Sequence, residues 1–430
     1  MHNGDSMNAP GPCNPQRLVR TNHPFARTGA GLLGRLPASV FHKAIDRIDQ
    51  GLLIGSLEAH LPDGSVRILG GRADGPRCVV DLHSWTALVR LGLSGSVGWF
   101  RAWMKREWDS PDPVPLFALF MANAASLGDV ARASGLSRLL VRAWHALNSN
   151  SRSGARRNIA YHYDLGNPFY ALWLDSGMTY SSALFTQPDM TLEQAQTAKI
   201  DALLARLELK PGDRLLEIGT GWGSLALRAT ATIGDLRYDG LTLSVEQKAL
   251  LAQRLAEGRL DDRAKVHLCD YRDHADGPYD AIASVEMVEA IGEKQWPEFL
   301  GVIHDRLKPG GRAALQFISI DDAIFDSYAG SADFVQAYVF PGGCLVARER
   351  FRALAAEAGL SWRDEASMGG DYARTLAEWR GRFDAAIEAG KLPVEFDEQF
   401  VRLWRFYLMY CEGGFRGGGI DVHQVTLVRD

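Results

Sequence analysis

Arg214-Leu-Leu-Glu-Ile-Gly-Thr-Gly-Trp-Gly223 constrains the fold of this 430-residue chain more than any other stretch. A strand-type run leads into Gly219-x-Gly221-x-Gly223, and a helix-period segment begins at Ser224. Glycines at a strand-to-helix turn let the backbone reverse tightly and approach a ligand closely. The last glycine comes one residue too early for the GxGxxG dinucleotide fingerprint, and Glu217 has no place in that fingerprint. An acid two residues before Gly-x-Gly-x-Gly points instead to a site for S-adenosylmethionine (SAM). The alternative is a strand–helix turn with no ligand.

Residues 158–430 continue this pattern as one α/β domain. Strand-type runs occur at 214–218, 238–243, 265–269, 279–285, 313–318 and 421–428. Helix-period segments lie near 224–230, 245–257, 296–307, 348–358, 372–389 and 398–411. Strands separated by helices predict a mostly parallel, doubly wound, Rossmann-like sheet. Ligands in such sheets sit at the carboxyl ends of the strands, where the strand order reverses. The strand after the glycine turn ends without an acid, so a ribose would use Thr242 or Gln247, which hydrogen-bond a diol without charge. The next ends in Cys269-Asp270-Tyr271-Arg272. Its acid and aromatic suit the edge and face of an adenine, although Tyr271 alone also reads as a surface aromatic.

Residues 36–127 read as a smaller α+β domain. Ser56–Leu61 and Val66–Leu69 flank the turn Pro62-Asp63-Gly64-Ser65, which predicts a β-hairpin. A third strand is expected at 78–82 and a helix with glycine breaks over 85–108. Residues 1–35 have no apolar period and many turn formers, as in a flexible arm. Residues 128–157 form a basic connector, with six arginines against Asp129 and Leu136, Leu139, Leu140, Trp144 and Leu147 interleaved. Such a helix either lies on an anionic bilayer or packs its apolar face on a neighbouring domain.

Apolar residues at 46% and charged residues at 23% describe an ordinary globular chain, and a net charge of −5 gives no sign of nucleic-acid binding. Five cysteines are widely spaced without a CxxC pair, which argues against a disulfide framework or a structural zinc site and for a reducing compartment. Neither a secretory signal nor a run of about 20 apolar residues is evident. A cytoplasmic protein, or one working on the inner face of a membrane, is expected.

Longer motifs narrow the assignment. They are Tyr161-His-Tyr-Asp-Leu-Gly-Asn167, Met178-Thr-Tyr-Ser-Ser-Ala183, Leu192-Glu-Gln-Ala-Gln-x-Ala-Lys199, Gly240-Leu-Thr-Leu-Ser-x-Glu-Gln247, Phe340-Pro-Gly-Gly343 and Asp371-Tyr-Ala-Arg-Thr-Leu-x-x-Trp379. With the glycine turn, they make the chain resemble the cyclopropane-fatty-acyl-phospholipid synthases and the mycolic acid cyclopropane synthases. The resemblance implies a SAM-dependent methyltransferase. Such an enzyme moves a methyl(ene) group to the cis double bond of acyl chains in phospholipids at the membrane surface, forming cyclopropanes. It also implies a homodimer and a bicarbonate that serves as base.

Carried over by position, the resemblance gives Tyr180 and Ser181 to the methionine end of SAM. Gly219 and Gly221 match the glycine turn, Thr242 and Gln247 the ribose contacts, and Tyr271 the adenine pocket; the residues themselves add Glu217 and Gly223 to the turn and Asp270 and Arg272 beside Tyr271 as cofactor-binding candidates. Glu289, Tyr372, the backbone of Ile318, Gln316 and Ser182 fall at the bicarbonate. Two of these depart from the family, with Ser182 in place of a cysteine and Gln316 in place of a histidine. Gln hydrogen-bonds an anion but carries no proton charge. That departure bears on ring closure rather than on methyl transfer, so a methyl- or methylene-branched product stays open beside the cyclopropane. Glu286 and Glu289 also suit a helix start, Tyr372 a packing position and His162 a local loop contact. A small-molecule N-methyltransferase and a non-catalytic SAM- or lipid-binding protein are the competing classes.

Overall fold

The computed structural model describes residues 36–128, 165–330 and 333–430, with Pro15 and Gly34. The arm, nearly all of the basic connector and His162 lie outside the described residues.

The N-terminal part opens with α1 (Ala38–Gly51) and a four-stranded sheet: β1 (Ser56–His60), β2 (Val66–Gly70), β3 (Arg77–Leu82) and β4 (Trp108–Asp109). The expected hairpin forms, with β1 antiparallel to β2 and His60 opposite Val66. Asp63 closes its turn by accepting from the Ser65 N–H (3.1 Å) and hydroxyl (2.6 Å). β3 lies parallel to β1, giving the order β2-β1-β3-β4. Between β3 and β4 runs α2 (Thr86–Met104), bent at Gly95, and α3 (Val114–Ala122) follows.

The second part begins with α4 (Leu192–Leu207), started by a Thr191/Gln194 capping box. Next come β5 (Arg214–Ile218), α5 (Ser224–Thr232), β6 (Arg237–Thr242), α6 (Val245–Glu257), β7 (Ala264–Leu268), β8 (Tyr279–Val285), α7 (Trp296–Arg306) and β9 (Leu307–Ile320). The chain ends with β10 (Val346–Ala347), α8 (Arg348–Glu357), β11 (Leu360–Ser367), α9 (Gly369–Glu388), α10 (Glu398–Arg416) and β12 (Ile420–Arg429). The sheet order is β11-β12-β9-β8-β5-β6-β7, with β10 beside β9. Strands β9 to β7 are parallel, whereas β12 runs antiparallel to both neighbours. After β5 the chain moves to β6 on one side and β8 on the other, so the order reverses at β5/β8. That junction is where an α/β sheet opens a crevice.

One apolar core joins the two parts, running from Ile45 through Phe100, Phe117 and Phe334 to Phe406 and Val422. Phe100 packs at 4.7 Å from Phe334 and 5.0 Å from Phe406, centroid to centroid. Arg402 of α10 stacks over the Trp103 ring at 4.4 Å and donates to its carbonyl at 2.6 Å. The backbone of α10 at Gly413 approaches α3 so closely that a Cβ there would lie 2.4 Å from Cβ of Phe117. The N-terminal helices are thus part of the interior that backs the crevice.

Candidate active site

The site is assembled at the carboxyl ends of β5, β6, β8 and β9. Gly219 and Gly221 have φ of +87° and +51°, a region L side chains rarely adopt. The N–H groups of Gly219 and Thr220 bond to Leu241 O, which ties the bend to β6. A Cβ on Gly221 would meet nothing within 4 Å, so space beside the bend is open. Gly223, at φ +93°, starts α5, and a Cβ there would strike Leu251 Cδ1 at 2.2 Å.

A second loop, 175–183, faces this bend. Buried Asp175 accepts from the N–H of Gly177 (2.8 Å) and Thr179 (2.7 Å) and so shapes the turn. Ser224 Oγ donates to Gly177 O, and Arg254 of α6 donates to both Gly177 O and Trp222 O. Gln196 on α4 donates to the carbonyls of Thr179 and Ser181, and buried Lys199 donates to Ser181 Oγ at 2.6 Å. From α9, Thr375 Oγ1 accepts from Ala183 N–H and Asp371 Oδ1 from Phe185 N–H. The motifs around Lys199 and Asp371 therefore act by holding this loop against the glycine bend.

Between them lies a cavity of about 530 Å³. Its lining includes Tyr180, Ser181, Glu217, Gly219, Gly221, Thr242, Gln247, Asp270, Tyr271 and Arg272. Thr242 Oγ1 donates to Gln247 Oε1 at 2.8 Å, while buried Gln247 Nε2 and the Tyr271 hydroxyl have no partner within the described residues. Arg272 pairs with Asp270 through two nitrogens (2.9 and 2.7 Å) and sits over the Tyr271 ring. Glu217 accepts from Tyr238 OH at 2.5 Å, and burial pushes its carboxyl up to about 8. Open space at a glycine bend, unfilled amide and hydroxyl groups and an aromatic wall together fit an adenosyl group with its ribose and sulfonium arm.

Much of the remaining lining is apolar: Leu91, Trp99 and Phe117 from α2 and α3, with Phe340, Tyr407 and Ile320, although Asp333, held by Ser96 and Tyr410, also lines the cavity. Tyr180 OH lies 2.8 Å from Tyr407 OH. Glu286, Glu289, Ile318 and Tyr372 line the same cavity. Glu286 Oε1 accepts from Ser182 N–H (2.8 Å) and Gln316 Nε2 (2.8 Å), and Oε2 from Tyr372 OH (2.9 Å). Gln316 is oriented in turn by Gln424 Nε2, which donates to its Oε1 at 3.0 Å. The N–H of Ile318 donates to Glu289 Oε1, and Glu289 Oε2 is buried with no partner within the described residues. Burial, then the charge of Glu286, pushes Glu289 up to about 8. Burial also raises Glu286, opposed by Lys199 and by its three donors. Burial pulls Lys199 down to about 8.

Most residues singled out from the sequence reach the cavity wall. Ser182, Gln316 and Gly223 do not. The Ser182 hydroxyl donates to Ala183 O, Gln316 stands behind Glu286, and Gly223 is covered by Leu251. Tyr372, assigned beside Glu289, donates to Glu286 instead. Sequence reasoning gave Glu286 only a helix-start reading, and Lys199 and Tyr407 no role of their own. An acid directly after the last residue of β8 was the available signal for Glu286.

Comparison with known proteins gives the site its setting. Residues 150–425 match the mycolic acid cyclopropane synthetase family. The tuberculostearic acid methyltransferase UfaA1 of Mycobacterium tuberculosis is 38% identical over 394 residues, 88% of this chain and 90% of the relative. The cyclopropane-fatty-acyl-phospholipid synthase of Escherichia coli K12 is 37% identical over 270 residues, 62% of this chain and 66% of the relative. The solved structure of the mycolic acid cyclopropane synthase CmaA1, complexed with SAH and CTAB, superposes at a TM-score of 0.59 and 32% identity, covering 64% of this chain and 98% of that one. With a glycine bend and unfilled polar groups lining the cavity, this chain belongs to the mycolic acid cyclopropane synthetase family and is a SAM-dependent methyltransferase of that family.

Proposed function

We propose that this methyltransferase acts on a double-bond carbon of an unsaturated phospholipid acyl chain and leaves an open-chain, methyl- or methylene-branched product. The observation that carries the substrate class is the cavity itself. The glycine bend forms part of its lining, and Trp99, Leu91, Phe117 and Phe340 form another, apolar part. A drug-sized polar amine would leave such a wall unfilled, whereas an acyl chain buries it at roughly 25 cal/mol per Å².

SAM supplies an electrophilic methyl group on a sulfonium and departs as S-adenosylhomocysteine. The residues of the chain do the rest. An alkene is a weak nucleophile, so rigid positioning is the main requirement. The 175–183 loop is held from α4, α5, α6 and α9, which fixes Tyr180 and Ser181 beside the bend. The apolar wall excludes water that would quench a carbocation, and Tyr180, Phe340 and Tyr407 offer ring faces to positive charge.

A branched rather than cyclised product is supported by the changed anion region, where Gln316 and Glu286 replace the arrangement the family resemblance implies. It is supported also by the similarity to a tuberculostearic acid methyltransferase over most of both chains. Among the described residues no helix is long and apolar enough to cross a membrane, so access to phospholipid is proposed to be from the membrane surface. The deciding experiment incubates the protein with SAM and a defined monoenoic phospholipid, followed by mass spectrometry before and after mild catalytic hydrogenation. A gain of one CH2 whose product takes up hydrogen identifies an open-chain branch. A product of the same mass that resists hydrogen is a ring and overturns the branched assignment.

A further inference from the structure

We infer that the carboxylate of Glu286 is the resident anion of this site, seated where the family resemblance places bicarbonate, and that it accepts the proton released in each turnover. The second half rests on the proposed acyl methylation; the first half does not.

Ser182, Gln316, Tyr372, Ile318 and Glu289 are the positions that the resemblance assigns to bicarbonate. In this chain the backbone N–H of Ser182, the amide of Gln316 and the hydroxyl of Tyr372 all donate to Glu286. The N–H of Ile318 donates to Glu289. The four donors at Ser182, Gln316, Tyr372 and Ile318 are taken, which leaves only the carboxyl of Glu289, and a bicarbonate here would lie against the charge of Glu286 in a dry space. Bicarbonate therefore does not fit. A carboxylate offers about four acceptor sites; three are filled, and Glu286 lines the cavity. All three of its partners donate, the pattern that suits an ionised acid, and Lys199 supplies the opposing charge.

The backbone gives an independent sign. Glu286 has φ +49°, the left-handed region where a non-glycine residue is strained. Strain of this kind persists where the side chain must point in one direction, and here that direction ends on three donors.

The chemistry balances. Each methyl group gained brings one positive charge onto the acyl chain, with S-adenosylhomocysteine as the leaving group. One C–H bond of the methylated chain then breaks, its electron pair forms the new C=C bond, and the proton passes to Glu286. The chain gains CH2, and Glu286 returns its proton to solvent once product has left.

The test uses the full chain loaded with S-adenosylhomocysteine, titrated with 13C-bicarbonate and followed by NMR. Wild type is expected to show no saturable binding into the millimolar range. Glu286→Gly, which relieves the positive φ and frees three donors, is expected to bind. Saturable binding to wild type, or none to Glu286→Gly, overturns the assignment. A second arm follows S-adenosylhomocysteine release on monoenoic phospholipid in CO2-stripped buffer. Wild-type turnover is expected to be the same with or without added bicarbonate, Glu286→Gln to lose about 100-fold or more in kcat with SAM affinity unchanged, and Glu286→Gly to recover with bicarbonate or formate. Wild-type turnover that stalls on stripping and returns with bicarbonate overturns the proposal. The titration needs no acyl substrate, so a chain inactive on every monoenoic lipid would sink the functional reading while the anion seat is still decided.

Discussion

At the scale of single residues, the glycine bend and the buried acids carry the sharpest consequences. Gly221 combines φ +51° with open space where its Cβ would be. Gly221→Val is expected to abolish SAM binding in calorimetry, with a stability loss limited to the left-handed strain of about 1–2 kcal/mol. Unchanged affinity would show that the bend does not hold the ligand. Glu289 makes a pH prediction. Folded, it keeps its proton up to about pH 8, against an ordinary value of 4.5. Between those values the native state binds the extra proton, so stability falls as pH rises through that window. Glu217, also pushed up to about 8, has the same sign, whereas Lys199, pulled down to about 8, acts oppositely only at higher pH. The melting temperature is expected to fall from about pH 5 to about pH 8, and less steeply in Glu289→Gln. Parallel curves for the two proteins would remove Glu289 from the account. Glycines, Thr242 and Tyr271 were legible in the sequence because local spacing dictates their place. Glu286 was not, because its importance depends on donors 30, 86 and 104 residues away in the chain.

At the scale of elements, short apolar runs bounded by turn residues read easily as strands. β5, β6, β7 and β8 fall within one or two residues of the expected ranges. β11 was missed because it carries no apolar run: Arg363, Asp364, Ala366 and Ser367 are exposed, and the register shifts between Arg363 and Ala366. The first half of β9 was missed because Lys308-Pro309-Gly310-Gly311 carries turn chemistry. α4 carries a capping box that marks its start, yet its apolar face is broken by buried Gln196 and Lys199, whose purpose is the 175–183 loop. The contact of α3 with α10 is testable. Gly413→Ala would place a methyl 2.4 Å from Phe117 Cβ and 2.7 Å from Val114 O. It is expected to cost about 1–3 kcal/mol in urea denaturation, as overpacking does. Because Phe117 lines the cavity, acyl turnover should fall as well. A neutral result would mean that the two helices separate freely.

At the scale of the whole molecule, the N-terminal part is a wall of the cavity as well as a neighbour of it. Leu91, Trp99 and Phe117 form part of its apolar lining, and the core they belong to continues to Phe406 and Val422. The α+β character of residues 36–127 was legible from the hairpin, but the shared interior was not, because nothing local in α2 announces a partner as distant as α10. Deleting residues 36–128 is therefore expected to abolish turnover on detergent-dispersed lipid as fully as on vesicles. Loss confined to vesicles would mean that the wall is dispensable. Leu91→Trp, which adds bulk to the apolar lining, is expected to lower turnover on long acyl chains more than on short ones. Equal losses would place the chain elsewhere.

The joined interior also sets a schedule for synthesis. Trp103 and the Arg402 that covers it are 299 residues apart in the chain. At roughly 5–20 residues per second on the ribosome, the greasy side of α2 waits about 15–60 s for its cover. Throughout that interval the nascent chain presents this apolar face to its surroundings, and it must be kept from sticking to its own kind until the last helix arrives.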